Sequence, residues 1–252
     1  MGQGEAVGEV GRVSGALVTG GAGDIGHAVA RRLVAAGRRV WLADLDPGHT
    51  RDRAAELGPG AVALELDLTR DESIASVARA VEGRISTVVH CAGVAVVDPF
   101  LESRIADWDH MFQVNLRGPM QLTRQLLRGL QAADAARIVF VASDGARAGA
   151  SGETAYAASK SGLFGFAKSL AREIARHEVT VNVVCPGPIS GAMVAATMAG
   201  HGNVLRALEQ AIPLKRLGQP DEVAALIAWL ASPEAGYLTG QLISVSGGIT
   251  MN

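Results

Sequence analysis

Residues 16–26 read ALVTGGAGDIG, and an amphipathic stretch near 25–36 follows without a break. A short apolar strand thus runs into a glycine-rich turn and then into a helix. Glycines let backbone approach a pyrophosphate closely, and a helix N-terminus offers free N–H groups and a favourable dipole. The next apolar run ends at Asp44, 18 residues beyond Gly26, where a carboxylate can accept from a ribose 2′-hydroxyl. A glycine-rich turn by itself is common; strand, turn, helix, second strand and acid in that order predict a dinucleotide site. Asp44 also discriminates, because a carboxylate repels a 2′-phosphate and no Lys or Arg lies in Gly20–Gly26 to offset it. Arg38 and Arg39 precede the second strand and belong at its far end. The expected cofactor is NAD(H), with NADP(H) disfavoured.

Outward from this unit the same alternation continues. Strand candidates fall at 16–19, 39–43, 62–66, 87–90, 138–142, 179–184 and 242–245, each apolar on both faces, as strands covered by helices are. Helix candidates lie near 25–36, 50–57, 71–82, 104–131, 154–176 and 221–231. Strands alternating with helices imply right-handed crossovers and a parallel sheet. The prediction is one doubly wound α/β domain of Rossmann type over residues 13–252, with residues 1–12 as a loose tail. Residues 186–213 interrupt the alternation. A connection of that length is either a functional lid or a pair of surface helices, and the substrate loop is placed at about 188–212.

Composition narrows the function classes. The chain has 252 residues, 48% of them hydrophobic, with 23 basic against 25 acidic side chains. It is long enough to bury a large core unaided, and its balanced charge offers no field for nucleic acid or anionic lipid. Cys91 and Cys185 lie far apart and neither belongs to a CxxC pair, so neither a disulfide framework nor a metal cluster is expected. No uncharged apolar run reaches the roughly 18 residues of a membrane span. The first residues carry glutamates where a signal peptide needs a positive start and an apolar centre. A cytoplasmic protein is expected.

The chemistry concentrates on one helix. Tyr156 and Lys160 are i and i+4, hence on one face. A phenol is a poor base at neutral pH, and a neighbouring ammonium is expected to lower its pKa, which suits Tyr156 to general acid/base work. Only three of the 23 basic residues are Lys, at 160, 168 and 215, so 20 are Arg. A lysine at 160 therefore marks a place where a compact ammonium is wanted. Ser143 can hold a substrate oxygen. Pro119 lacks the N–H that would bond the Asn115 carbonyl, which leaves that carbonyl free for a water; Gly118-Pro119 can equally serve as a kink.

Together with TGGAGDIG at 19–26, Asp67-Leu68, Cys91-Ala92-Gly93, Asn115 in FQVNLRG, Ser143 in VFVASDG, Tyr156-Ala-Ala-Ser-Lys160 and the segment 213–248 form an ordered set. In this the chain resembles the short-chain dehydrogenase/reductase family. The resemblance implies reversible hydride transfer between a nicotinamide and a carbonyl or secondary alcohol. It implies Asn115, Ser143, Tyr156 and Lys160 as catalytic residues, with Ser143 and Tyr156 on the substrate oxygen. Cofactor contacts are implied at Gly20, Asp24, Ile25, Gly26, Asp44, Leu45, Asp67, Leu68, Cys91, Ala92, Gly93, Tyr156, Lys160, Pro186, Gly187 and Ile189. A homotetramer is also implied.

The chain departs from that family's pattern at several points. Asp24 stands where the phosphate loop has its middle glycine. His90 precedes Cys91 where relatives carry asparagine, and reads as a packed core residue. Gly191 stands where relatives place a threonine against the nicotinamide amide; Ser190 or the backbone near Ile189 is expected to serve instead. The substrate wall is expected from Val94–Val97, Arg147–Glu153 and 188–212, with Met193 and Met198 as adaptable fillers. Such a wall suits a small, largely apolar secondary alcohol or its ketone, while Arg147 or Glu153 can either recognise a polar substituent or stand as solvated loop charges. An NADPH-dependent reductase of 3-oxoacyl thioesters is the alternative, with Arg124, Arg128 and Arg172 available to dock a carrier protein. A nucleotide-binding protein without chemistry would lack Ser143, Tyr156 or Lys160, and all are present.

Overall fold

The structure is a computed structural model and describes residues 15–197 and 202–251. Its strands are β1 (Gly15–Thr19), β2 (Val40–Asp44), β3 (Ala61–Glu65), β4 (Ile85–His90), β5 (Arg137–Val141), β6 (Thr180–Pro186) and β7 (Leu242–Val245). They form one parallel sheet in the order β3-β2-β1-β4-β5-β6-β7. The helices are α1 (Asp24–Ala35), α2 (Pro47–Leu57), α3 (Asp71–Ala80), α4 (Ile105–Phe112), α5 (Gly118–Ala132), α6 (Gly145–Ala148), α7 (Thr154–Ile174), α8 (Ala192–Thr197), α9 (Gly202–Ala211) and α10 (Pro220–Leu230). This is a single Rossmann-type domain.

The two-residue period of a strand sorts its side chains between two cores. Leu17 of β1 faces one layer with Ile74, Leu122 and Leu163 from α3, α5 and α7. Its neighbours Ala16 and Val18 face the other, with Val29 and Leu33 of α1 and Val223 and Ile227 of α10. Strand order reverses between β1 and β4, and in open parallel sheets the crevice outside that switch point receives ligands. Cys91 N–H reaches across it to Thr19 O at 3.2 Å.

Two segments differ from the sequence expectation. The stretch 104–131 is not one helix: α4 and α5 are separated by a π-helical turn over Gln113–Arg117, in which Gly118 N–H donates to Gln113 O. Pro119 removes the donor an α-helix would use four residues on from Asn115, and the chain accommodates the loss by widening one turn. A Cβ on Gly118 would lie 2.7 Å from Leu68 O, so this turn also packs tightly on the loop after β3. Of the two readings of 186–213, the structure has helices there, α8 and α9, and α8 borders the cleft described below. The tail at 1–12 and Met198 lie outside the described residues.

His90 ends β4 as a core residue. It is 2% exposed, stacks on Phe140 at 4.8 Å and lies 2.9 Å through Nε2 from Thr123 Oγ1. The Thr123 hydroxyl donates to Pro119 O at 2.7 Å, so it accepts from an Nε2–H tautomer. Burial, with the charge of Lys160 as the lesser cause, pushes the imidazole down to about 3. The unfolded chain therefore binds a proton here that the folded chain refuses between about pH 6.5 and 3. The associated stability is full above 6.5 and is lost as pH falls through that window, with a slope of up to about 1.4 kcal/mol per pH unit. Thermal melts from pH 7 to pH 4 are expected to decline more steeply for the wild type than for His90→Leu.

Candidate active site

A cleft of about 660 Å³ opens along the C-terminal ends of β1, β2, β4, β5 and β6. Every expected cofactor position lines it, from Gly20 to Ile189, as do Ser143, Tyr156 and Lys160. Asn115 does not; it sits behind the wall. At the phosphate loop Gly20 has φ +64°, and a Cβ there would lie 2.6 Å from Ala92 N. A Cβ on Gly26 would lie 2.1 Å from Gly20 O. Only glycine lets the loop, α1 and the segment after β4 close to this distance, and the space left is a backbone-lined cradle at a helix N-terminus.

Asp44 is aimed by two backbone donors: Ala22 N–H to Oδ2 at 3.0 Å and Leu45 N–H to Oδ1 at 2.7 Å. The carboxylate thus sits between the loop and the end of β2, in the cleft. Asp67 instead spends one oxygen on the Thr69 hydroxyl and amide, at 2.7 and 2.8 Å, and these bonds, the hydroxyl's foremost, hold its pKa below the usual carboxylate value. Burial pushes the Cys91 thiol up to about 12, so it is inert as a nucleophile.

Lys160 is 3% exposed and its Nζ donates to Val141 O at 3.0 Å. Burial pulls its pKa down to about 8. A Cβ on Gly93 would lie 2.8 Å from that Nζ, so glycine there makes room for the ammonium. Asn115, 0% exposed, clamps the next residue: Val94 N–H donates to its Oδ1 at 2.8 Å and its Nδ2 donates to Val94 O at 2.9 Å. The same Nδ2 donates to Ser159 Oγ, whose hydroxyl donates to Tyr156 O at 2.7 Å. One side chain thereby fastens the segment after β4 to the helix turn that carries Tyr156.

Tyr156 and Ser143 are hydrogen-bonded through their side chains. The expected lowering of the phenol's pKa is not found: burial pushes Tyr156 up to about 12, the Ser143 bond opposes this, and the negative field of Glu153 adds to it. The reason is geometric, since Lys160 gives its bond to Val141 and is itself pulled toward neutrality. A further expectation is corrected. Arg147 turns away from the cleft and donates to Ser244 Oγ at 2.7 Å on β7. Ser190 lines the cleft with its proton given to Gln219 Oε1 at 2.9 Å, which leaves its oxygen only as an acceptor. Glu153 is half-buried, with its pKa raised by burial.

The sequence reading missed several lining residues. His49, His110, Val114 and Ala142 also line the cleft. None carries a local signal; each arrives by the path of the chain. Among the described residues no three His, Cys, Asp or Glu side chains come together as a metal site, and no helix is long and apolar enough to cross a membrane.

A glycine cradle at the sheet's switch point, an acid after β2 and a Ser–Tyr–Lys group facing the same cleft define a nicotinamide-type oxidoreductase architecture. A family model described as enoyl-(acyl carrier protein) reductase matches residues 20–250. Nodulation protein G of a Rhizobium species is 39% identical over 239 residues, covering 94% of this chain and 96% of that one. The 3-oxoacyl-(acyl-carrier-protein) reductase FabG of Vibrio cholerae is 35% identical, covering 94% and 97%. A solved variant of actinorhodin polyketide ketoreductase with NADPH superposes with TM-score 0.88 at 31% identity, covering 94% and 97%. The chain belongs to the short-chain dehydrogenase/reductase family.

The clamp carries a prediction. Asn115→Ala leaves the part-buried N–H and C=O of Val94 without their side-chain partner, and each such loss costs about 1–3 kcal/mol where water does not replace the bond. Denaturant unfolding is expected to show a loss of about 2–4 kcal/mol at unchanged m-value.

Proposed function

We propose that the protein reduces the 3-keto group of an acyl thioester, reversibly, with NAD(H) as its preferred cofactor. The observation that carries the chemistry is the shared cleft in which Ser143, Tyr156 and Lys160 face a backbone-lined dinucleotide cradle. The choice of substrate rests on relatives at 35% identity whose names specify 3-oxoacyl carrier-protein reduction. It displaces the small apolar secondary alcohol favoured by the wall composition alone. Arg124 and Arg128 on α5 and Arg172 on α7 are exposed and available to an acidic carrier. The apolar lining by Val94, Met193 and Val194 favours a second reading, a simple alicyclic or aromatic ketone.

A bound reduced nicotinamide supplies the hydride. The protein's part is then positional and protic. Ser143 and Tyr156 hold the carbonyl oxygen, and Tyr156 Oη gives it the proton that completes the alcohol. At a pKa of about 12 the phenol is fully protonated at neutral pH, the state a proton donor needs. Lys160 places a positive charge beneath the site and returns a proton to Tyr156 through a water held at the Asn115 carbonyl. Asn115 keeps Val94, and so the wall, in register with Tyr156. Exposed Phe100 and Leu101 before α4 and Ile105 at its start support burial of that face in a homotetramer, which light scattering tests.

The cofactor preference rests on Asp44, whose two oxygens are already aimed by Ala22 and Leu45. Fluorescence titrations with NADH and NADPH are expected to show tighter NADH binding, by about tenfold or more, and Asp44→Ala is expected to erase the preference. Equal affinities in the wild type would overturn the assignment. Acetoacetyl-CoA and cyclohexanone, compared as NADH oxidants, separate the two substrate readings. The pH dependence follows from Lys160. Its ammonium is present below about 8 and lost above it, so kcat/KM for carbonyl reduction is expected to fall above pH 8. Lys160→Arg keeps the charge and should move that fall upward, at a lower plateau.

A further inference from the structure

Two departures from the family pattern, Asp24 and Gly191, meet in space. Ala192 N–H, at the start of α8, donates to Asp24 Oδ2 at 2.8 Å across 168 residues of chain. A Cβ built on Gly191 would lie 2.3 Å from that same oxygen and 3.0 Å from Asp24 Cγ. The carboxylate therefore fills the space a side chain at 191 would need, and it bonds the next amide. Both partners line the cleft, Asp24 at the phosphate loop and Gly191 at its opposite rim, and α8 adds Met193 and Val194 to the wall.

We propose that Asp24 is a positioning residue that fastens α8, the substrate side of the cleft, to the phosphate loop, and that Gly191, at φ +155°, leaves the Asp24 carboxylate the room it takes. The proposal rests on reading the cleft as the site of dinucleotide and carbonyl substrate. Asp24 spends its charge on the Ala192 amide at the mouth of the cradle. Without that bond it would stand as a bare anion beside an incoming pyrophosphate. The bond is made by a charged acceptor, which typically stabilises more than a neutral one. It joins the two halves of the wall directly, so α8 is held over the cleft by the loop that receives the cofactor.

Four proteins test it: wild type, Asp24→Ala, Asp24→Asn and Gly191→Ala, with the double variant Asp24→Ala/Gly191→Ala closing the cycle. Hydrogen exchange of the 192–197 amides reads the latch without any ligand. Asp24→Ala is expected to speed that exchange by about tenfold or more, as loss of a bond to a charged group would. Asp24→Asn keeps an acceptor oxygen and should stay within about threefold of wild type. Gly191→Ala should speed exchange strongly beside Asp24 and far less in the Asp24→Ala background, a non-additivity that marks contact. In kinetics, Asp24→Ala is expected to raise KM for the ketone about tenfold while NADH affinity holds or improves; a purely structural lesion would weaken both. The φ of +155° at Gly191 strains an alanine in both backgrounds, so the latch is judged on Asp24 itself: unchanged exchange in Asp24→Ala overturns it. Failure of the wild type to bind NADH would overturn the reading of the cleft and leave the exchange arm decisive for the latch.

Discussion

The site is organised around one buried ammonium. Lys160 Nζ is removed from water by the ends of β4 and β5, and its named hydrogen-bond acceptor is a backbone carbonyl, Val141 O at 3.0 Å. Burying a charge is costly unless it is bonded, and the cost shows as a pKa pulled down to about 8. Neighbouring features make the position possible. Gly93 leaves room where a Cβ would lie 2.8 Å from the nitrogen. Asn115 prevents the same segment from drifting by bonding both polar groups of Val94. The π-turn at 113–117 sets Asn115 where it can reach Val94 and Ser159 at once. A regular helix would rotate each side chain by about 100° per residue and could not hold that register past Pro119.

Burial explains why Tyr156 is an acid and not a phenolate despite the ammonium one helix turn away. Proximity along a helix face had suggested a lowered pKa, yet two opposing effects act on a phenol at such a site. Burial disfavours its charged form, and a nearby cation favours it. Here burial wins, because Lys160 is bonded to Val141 and Glu153 contributes a field of the wrong sign. The balance is tunable. Any positive charge brought into the cleft beside the phenol favours its charged form. The protonation state of Tyr156 is thus coupled to what else is bound, which suits a group that must act as acid in one direction and base in the other.

How much of this was legible in the sequence depends on distance along the chain. The sheet was legible because strands buried on both faces read as uninterrupted apolar runs, and six crossovers leave a regular spacing. Tyr156 and Lys160 were legible because a helix brings i and i+4 together locally. The π-turn in 104–131 was hidden, since Gly118-Pro119 signals a kink without announcing how the chain widens to accommodate it. Asn115 was found for its carbonyl, while its side-chain clamp joins positions 94, 115 and 159 and has no local trace. Arg147 was misread for the same reason: its partner, Ser244, is 97 residues away. Ser190 was expected to be free, and Gln219 accepts from its hydroxyl.

Asp24 and Gly191 show what such non-local pairs mean for reading a site. Taken singly, each departure is a loss: a glycine missing from the phosphate loop, and a hydroxyl missing from the substrate rim. Taken together they describe one contact, in which the carboxylate occupies the volume the glycine vacates and bonds the amide that follows it. The cleft therefore has a direct connection between loop and rim, the acceptor carried by α1 and the donor by the backbone of α8. An anion placed at a helix N-terminus is favourable there in its own right, and Asp24 lies in the first turn of α1 while bonding the first amide of α8. The two helix starts share one carboxylate. That arrangement ties the geometry of the substrate wall to the loop on which cofactor recognition depends, through the single bond from Ala192 N–H to Asp24.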